Sequence, residues 1–141
     1  MAKVAVDMWR GVHKDDFSVV VTDDGPAEDI LLPTMSPKRL KDGRTRQPDV
    51  VVREGQVQTG GGTSLFDKDK FFRGKSWRYF KIPKDTEIPP DLAVTGPEYN
   101  SHFAANHYQI EVAKPIPVEV FRQKLNHFAR LAHAKAYTDA H

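Results

Sequence analysis

The chain has 141 residues, 39% hydrophobic and 28% charged, with a formal net charge of +2. This is the size of one ordinary domain with enough apolar residues for a core; it excludes a disordered chain, and so small a net charge does not indicate nucleic-acid binding. The absence of cysteine excludes a disulfide framework, a thiolate zinc site and a cysteine nucleophile, and suits a protein that works in more than one redox compartment.

The N-terminal residues hold no apolar run long enough for the core of a signal peptide, and no segment approaches the length of a membrane span. A protein leaving its cell with this N-terminus uses a route that needs no cleaved signal. Residues 3–12 read as a first strand, with Val4, Val6 and Met8 alternating with Ala5, Asp7 and Trp9. Residues 17–22 form a β-branched run consistent with a second strand, ended by the turn cluster Asp23-Asp24-Gly25-Pro26. Residues 27–32 read equally as strand or short helix. Residues 34–48, polar and basic with Pro37, Gly43 and Pro48, predict a long exposed loop. A third strand is expected over 49–54, around Val50, Val51 and Val52, with a turn at Gly55. After the glycine run 60–62, residues 68–74 suggest a short helix containing Phe71 and Phe72, and 77–82 an alternating strand. Residues 98–105 read as a loop with one helical turn.

The most informative strand covers 106–112, where Tyr108, Ile110 and Val112 point one way and His107, Gln109 and Glu111 the other. Pro115 and Pro117 lead into a helix from 118 to about 136. Val118, Phe121, Leu125, Phe128 and Leu131 give that helix an apolar stripe that needs a sheet to cover. The sum is an α+β domain dominated by strands.

Three groups could carry chemistry. Arg10, at the end of the first strand before Gly11, either clamps a phosphate or ribose hydroxyl or is a surface arginine. Gly60-Gly61-Gly62-Thr63-Ser64 either brings backbone N–H groups and two hydroxyls to an anion or is a flexible hairpin loop; its spacing fits neither a Walker nor a Rossmann motif. His107, Gln109 and Glu111 are either a solvated sheet face or a Gln-x-Glu element, in which Glu111 stabilises an oxocarbenium-like transition state, Gln109 orients the acceptor and His107 bonds a ribose hydroxyl. The histidines have no metal-ligand spacing, with His127 and His133 six apart on the helix, so no metal is expected. Lys38, Arg39, Lys41, Arg44 and Arg46 could touch a phosphate-rich partner, but the run lacks aromatic residues for base stacking.

Several segments, in order, resemble the type VI secretion exported effector two toxins. They are Pro48-Asp49-Val50-Val51, Gly61-Gly62-Thr63-Ser64-Leu65-Phe66-Asp67, the run Ile82-Pro83-Lys84-Asp85-Thr86-Glu87-Ile88-Pro89-Pro90-Asp91-Leu92, then Tyr99-Asn100, His107-Tyr108 and Ala113-Lys114-Pro115. The likeness covers residues 49–131, with a looser match at Trp9-Arg10. It implies an ADP-ribosyltransferase-like single domain over residues 1–141, with mixed, mostly antiparallel sheets and a C-terminal amphipathic helix. It implies a toxin that is made in a bacterial cytoplasm, injected by a type VI secretion apparatus and active in the recipient cytoplasm on an unknown target. NAD is the implied cofactor, and a cognate immunity protein the implied partner, whose approach the basic loop could steer. The family's Thr-Ser pair falls on Thr63 and Ser64, and its histidine on His107; by analogy with the wider fold, Arg10 holds NAD. The expected cofactor-binding set is therefore Arg10, Thr63, Ser64, His107 and Gln109, helped by Trp77 or Tyr79. The expected catalytic set is Ser64, His107 and Glu111, although the family shows no obvious catalytic glutamate where this chain has Glu111. Two other readings are the toxin of a chromosomal toxin–antitoxin pair and a non-enzymatic toxin that blocks its target by binding.

Overall fold

Tyr108, Ile110 and Val112 are buried, while His107, Gln109 and Glu111 between them are half-exposed, as strand alternation requires. In the computed structural model, which describes residues 2–141, they lie on the long inner strand of a five-stranded sheet. In chain order the elements are β1 (Met8–His13), β2 (Val21–Thr22), β3 (Gly25–Pro26), β4 (Lys38–Arg39), β5 (Thr45–Arg46), β6 (Val52–Arg53), β7 (Gln56–Val57), β8 (Thr63–Phe66), β9 (Trp77–Ile82), β10 (Leu92–Asn100), β11 (Ala105–Val112), β12 (Ile116–Pro117) and α1 (Val118–Ala140). The main sheet runs β10-β11-β8-β1-β9, with every ladder antiparallel. A small sheet, β12-β7-β6, and the two-residue hairpins β2-β3 and β4-β5 complete the described residues.

α1 lies on one face of the main sheet. Phe121, Leu125, Phe128, Ala129 and Ala132 are buried against Met8, Leu65, Phe80, Ile82 and Ile110. Each large side chain of that stripe contributes about 1.5–3 kcal/mol by leaving water. The helix starts where the sequence predicts, after Pro117, and runs about one turn further than expected. Its first N–H groups have no side-chain cap, and Val118 N–H instead reaches Gly55 O at 3.1 Å.

β9 and β11 match their expected spans. Other expected elements are shorter or different. The strand expected over 3–12 begins at Met8, because the chain bends at residues 5 and 6, and residues 3 and 4 pair instead with 86 and 87. Asp7 fixes the bend by accepting the Lys84 N–H at 2.8 Å. The strands expected over 17–22 and 49–54 shrink to two paired residues each, and 27–32 is a series of turns. The helix expected over 68–74 does not form, since Phe71 and Phe72 turn inward onto the sheet and hold the segment as bends. The loop expected over 98–105 is half strand: β10 runs to Asn100, and being an edge strand it tolerates Pro97 and a bulge between Thr95 and Glu98.

Candidate active site

Strand register sorts the main sheet into two faces. Lys81 lies opposite Trp9, Trp9 opposite Phe66, and Phe66 opposite His107. Two residues along β8 and β11, Ser64 lies opposite Gln109, which lies opposite Thr95 on β10. Directly opposed residues share a face, so these side chains, with Glu111, all project away from α1. The reverse face carries Met8, Leu65, Tyr108 and Ile110 into the core.

Four predicted site residues are thus brought together on the open face: Ser64, His107, Gln109 and Glu111. Arg10 and Thr63 are not among them. Thr63 is fully buried, and its hydroxyl donates to Leu31 O at 2.6 Å. Arg10 falls in line with Met8 and Val12, donates from Nη2 to Leu32 O at 3.4 Å, and keeps Nε buried without a partner. Burial lowers the Arg10 pKa, opposed by Asp49 and reinforced by Arg46. Both residues therefore grip the 31–32 segment beneath the sheet. Neither side chain lies beside Ser64, because neighbours along a strand point to opposite faces.

The glycine run also has a different role from either reading of it. A Cβ at Gly61 would collide with the Asp49 carbonyl, and one at Gly62 with the Ile110 carbonyl. The protein's own backbone fills that space, so these glycines let neighbouring segments approach β8 rather than a ligand approach the loop. Gly60, at φ +98°, makes the turn before them.

Glu111 is held on one side only. Gln109 Nε2 donates to its Oε2 at 2.9 Å, and Thr95 Oγ1 donates to the same oxygen at 3.3 Å. Among the described residues no protein donor meets Oε1. Thr95 escapes a reading of the sequence because β10 itself does, between Pro90 and the Gly96-Pro97 pair. His107 packs its ring 5.1 Å from Phe66 and is half-buried. Burial pushes its pKa below the ordinary histidine value, with Glu98 opposing, so the imidazole is neutral at neutral pH.

The other half of the open face is covered by rings. Phe66, Phe71 and Ala105 form a satellite cluster with Trp9, Phe72, Tyr79 and Phe103 packed around it. Phe72 stacks on Trp77 at 4.1 Å and 23°, and Tyr79 Oη both accepts from Phe72 N–H at 3.0 Å and donates to Phe72 O at 3.3 Å. Gly11 is the floor: a Cβ there would come within 2.7 Å of the Phe72 ring. A groove of about 600 Å³ lined by Lys3, Asp85, Thr86, Glu87, Leu131, Ala134, Lys135 and Thr138 lies against the end of α1 and includes none of the predicted site residues.

The two hydroxyls of the Thr-Ser pair should separate in mutagenesis. Thr63→Val keeps the shape but leaves the Leu31 carbonyl without its donor, which should cost about 1–3 kcal/mol. Ser64→Ala, on the half-exposed face, should change stability by less than about 0.5 kcal/mol. Thermal unfolding of both variants checks this, and equal destabilisation of the two would reject the division of faces.

One α1 helix behind an antiparallel sheet, with a Gln-x-Glu pair, a serine and a histidine on the sheet's open side, makes the fold an ADP-ribosyltransferase-like α+β domain. The family model of the Tse2 ADP-ribosyltransferase toxin matches residues 2–137. Toxin Tse2 of Pseudomonas aeruginosa is 36% identical over 128 residues, which is 89% of this chain and 78% of that protein. The chain belongs to the Tse2 ADP-ribosyltransferase toxin family.

Proposed function

We propose that this toxin cleaves the nicotinamide–ribose bond of NAD and passes ADP-ribose to a cytoplasmic acceptor. The observation that carries the reading is the Gln109–Glu111 hydrogen bond, formed on the face shared with Ser64 and His107. Breaking that bond builds positive charge on the ribose. A carboxylate with one oxygen anchored and the other free is suited to stabilise this charge without reorganising. The neutral His107 ring offers one nitrogen to a ribose hydroxyl, and the Ser64 hydroxyl, which has no protein partner among the described residues, offers a donor and an acceptor. These groups fit NAD as a substrate. Thr63 and Arg10 support the site from beneath by fixing the segment under β8.

Family membership also supports delivery by type VI secretion, action in the recipient cytoplasm and neutralisation by a cognate immunity protein. Such a protector is most effective over the open face, where it would occlude Ser64 and Glu111 together. The test is incubation of the purified chain with NAD labelled in the nicotinamide and in the adenine, with and without bacterial lysate. Release of nicotinamide above the blank is expected, with adenine label moving to a lysate component. Folded protein that releases no nicotinamide under either condition would overturn the enzymatic reading.

A further inference from the structure

We infer that residues 68–79, beside the candidate site, bind single-stranded nucleic acid, and that this nucleic acid is the acceptor of ADP-ribose; the second half rests on the NAD reading above. The small net charge of the chain conceals a local excess. Residues 68–78 hold five basic side chains, Lys68, Lys70, Arg73, Lys75 and Arg78, against one acidic, Asp69. Lys68 is bound to Phe103 O, and Arg78 to the carbonyls of Ser18, Lys75 and Trp77. Lys70, Arg73 and Lys75 are exposed and have no ion pair or side-chain hydrogen bond among the described residues.

The same segment carries the stacked pair Phe72 and Trp77, both half-buried. Phe72 sits over Gly11 of β1. Since β1 borders β8, its ring lies about one strand spacing, ~5 Å, from the line of Ser64. Free cations therefore flank aromatic rings at the edge of the site.

That combination selects among anionic partners. Single-stranded nucleic acid supplies a phosphate at each nucleotide for the cations and an exposed base face for the rings. A duplex hides its base faces. An acidic protein offers carboxylates to the cations but no regular series of planar faces for the rings, whereas a single strand offers a phosphate and a base at every step. In the transfer, the C1′–N bond breaks and its electron pair leaves with nicotinamide. A lone pair on a base nitrogen or a terminal phosphate oxygen forms the new bond to C1′, and any proton on that acceptor passes to Glu111 or water.

Binding is measured by fluorescence anisotropy with labelled single-stranded RNA and DNA of about 12 nucleotides, on the full chain, at about 50 and about 200 mM salt. With three phosphates neutralised, affinity should fall about 20-fold between those salt concentrations. The triple variant Lys70→Glu, Arg73→Glu, Lys75→Glu should lose at least about 10-fold in affinity while releasing nicotinamide from NAD at the unchanged rate. If charge reversal prevents folding, the same three positions changed to Gln give the comparison. Absence of binding at the lower salt, equal binding by wild type and variant, or equal competition by polyglutamate would overturn the surface. Complete displacement of the oligonucleotide by NAD would also overturn it, assigning the cations to the substrate's own pyrophosphate. With adenine-labelled NAD, label should co-migrate with the oligonucleotide. Nicotinamide release with the bound oligonucleotide unlabelled would overturn the acceptor. No release at all would defeat the NAD reading, and the acceptor with it, while anisotropy still decides the binding surface.

Discussion

Glu111→Gln should lower NAD cleavage by about two to three powers of ten, the usual loss when one preorganised electrostatic group is removed from a transition state. The substitution keeps the length and shape of the side chain. Its carbonyl oxygen can still accept from Gln109 Nε2, which now donates to Glu111 Oε2 at 2.9 Å. What disappears is the charge, and with it the free oxygen best placed to face a developing oxocarbenium ion. Stability should change by less than about 0.5 kcal/mol, because the residue is half-exposed and makes no core contact. Nicotinamide release followed alongside thermal unfolding checks both halves. A folded variant with the wild-type rate would make Glu111 a surface residue and return the Gln-x-Glu pattern to an ordinary solvated strand face.

The parts of this molecule that were legible in its sequence are those with a strong local period. β11 shows its alternation from His107 to Val112, and α1 shows its stripe at spacings of three and four; Phe121, Leu125 and Phe128 are buried as that stripe says, while Val118 and Leu131 at its ends are half-buried and Ala129 and Ala132 complete the buried face. β8 is only four residues long and β10 is broken by Gly96 and Pro97, so neither offers enough period to read, although together they flank β11. Their pairing is a long-range choice made by the sheet, not by the segments. The candidate site divides the same way. His107, Gln109 and Glu111 sit on one strand, so alternation alone places them on one face. Ser64 joins them only through the β8–β11 register, and Thr63 and Arg10 leave the site through the same parity. The β8–β11 register turns Thr63 and Ser64 to opposite faces, since one of two consecutive strand residues faces the core. The stacked rings on residues 72 and 77 were legible as aromatic residues, but their fold onto Gly11 depends on a turn-rich segment whose composition resembles a helix.

Gly62→Ala should be the most damaging small substitution near the site. Gly62 is buried at the entry to β8, where an added Cβ would collide with the Ile110 carbonyl and lie 2.9 Å from Gln109 Cγ. The carbonyl belongs to the backbone of an inner strand and cannot rotate away as a side-chain end could. Relief requires β8 to move off β11, and the first pairs to open are Thr63 with Ile110 and Ser64 with Gln109. The expected cost is about 3 kcal/mol, at the upper end for forced overpacking with backbone displacement. That is a large part of the ~5–15 kcal/mol that holds a domain of this size. Gly60→Ala is the informative comparison: its Cβ would meet nothing within 4 Å, so only the positive φ of +98° is penalised, by about 1–2 kcal/mol. Chemical denaturation of the two variants should therefore rank Gly62→Ala well below Gly60→Ala. The fraction of Gly62→Ala that still folds should also be less toxic per molecule, since Ser64 has lost its position against Gln109. Equal stabilities would mean that β8 and β11 do not pack this closely, and would restore the alternative in which the glycine run keeps its side chains short to admit a ligand.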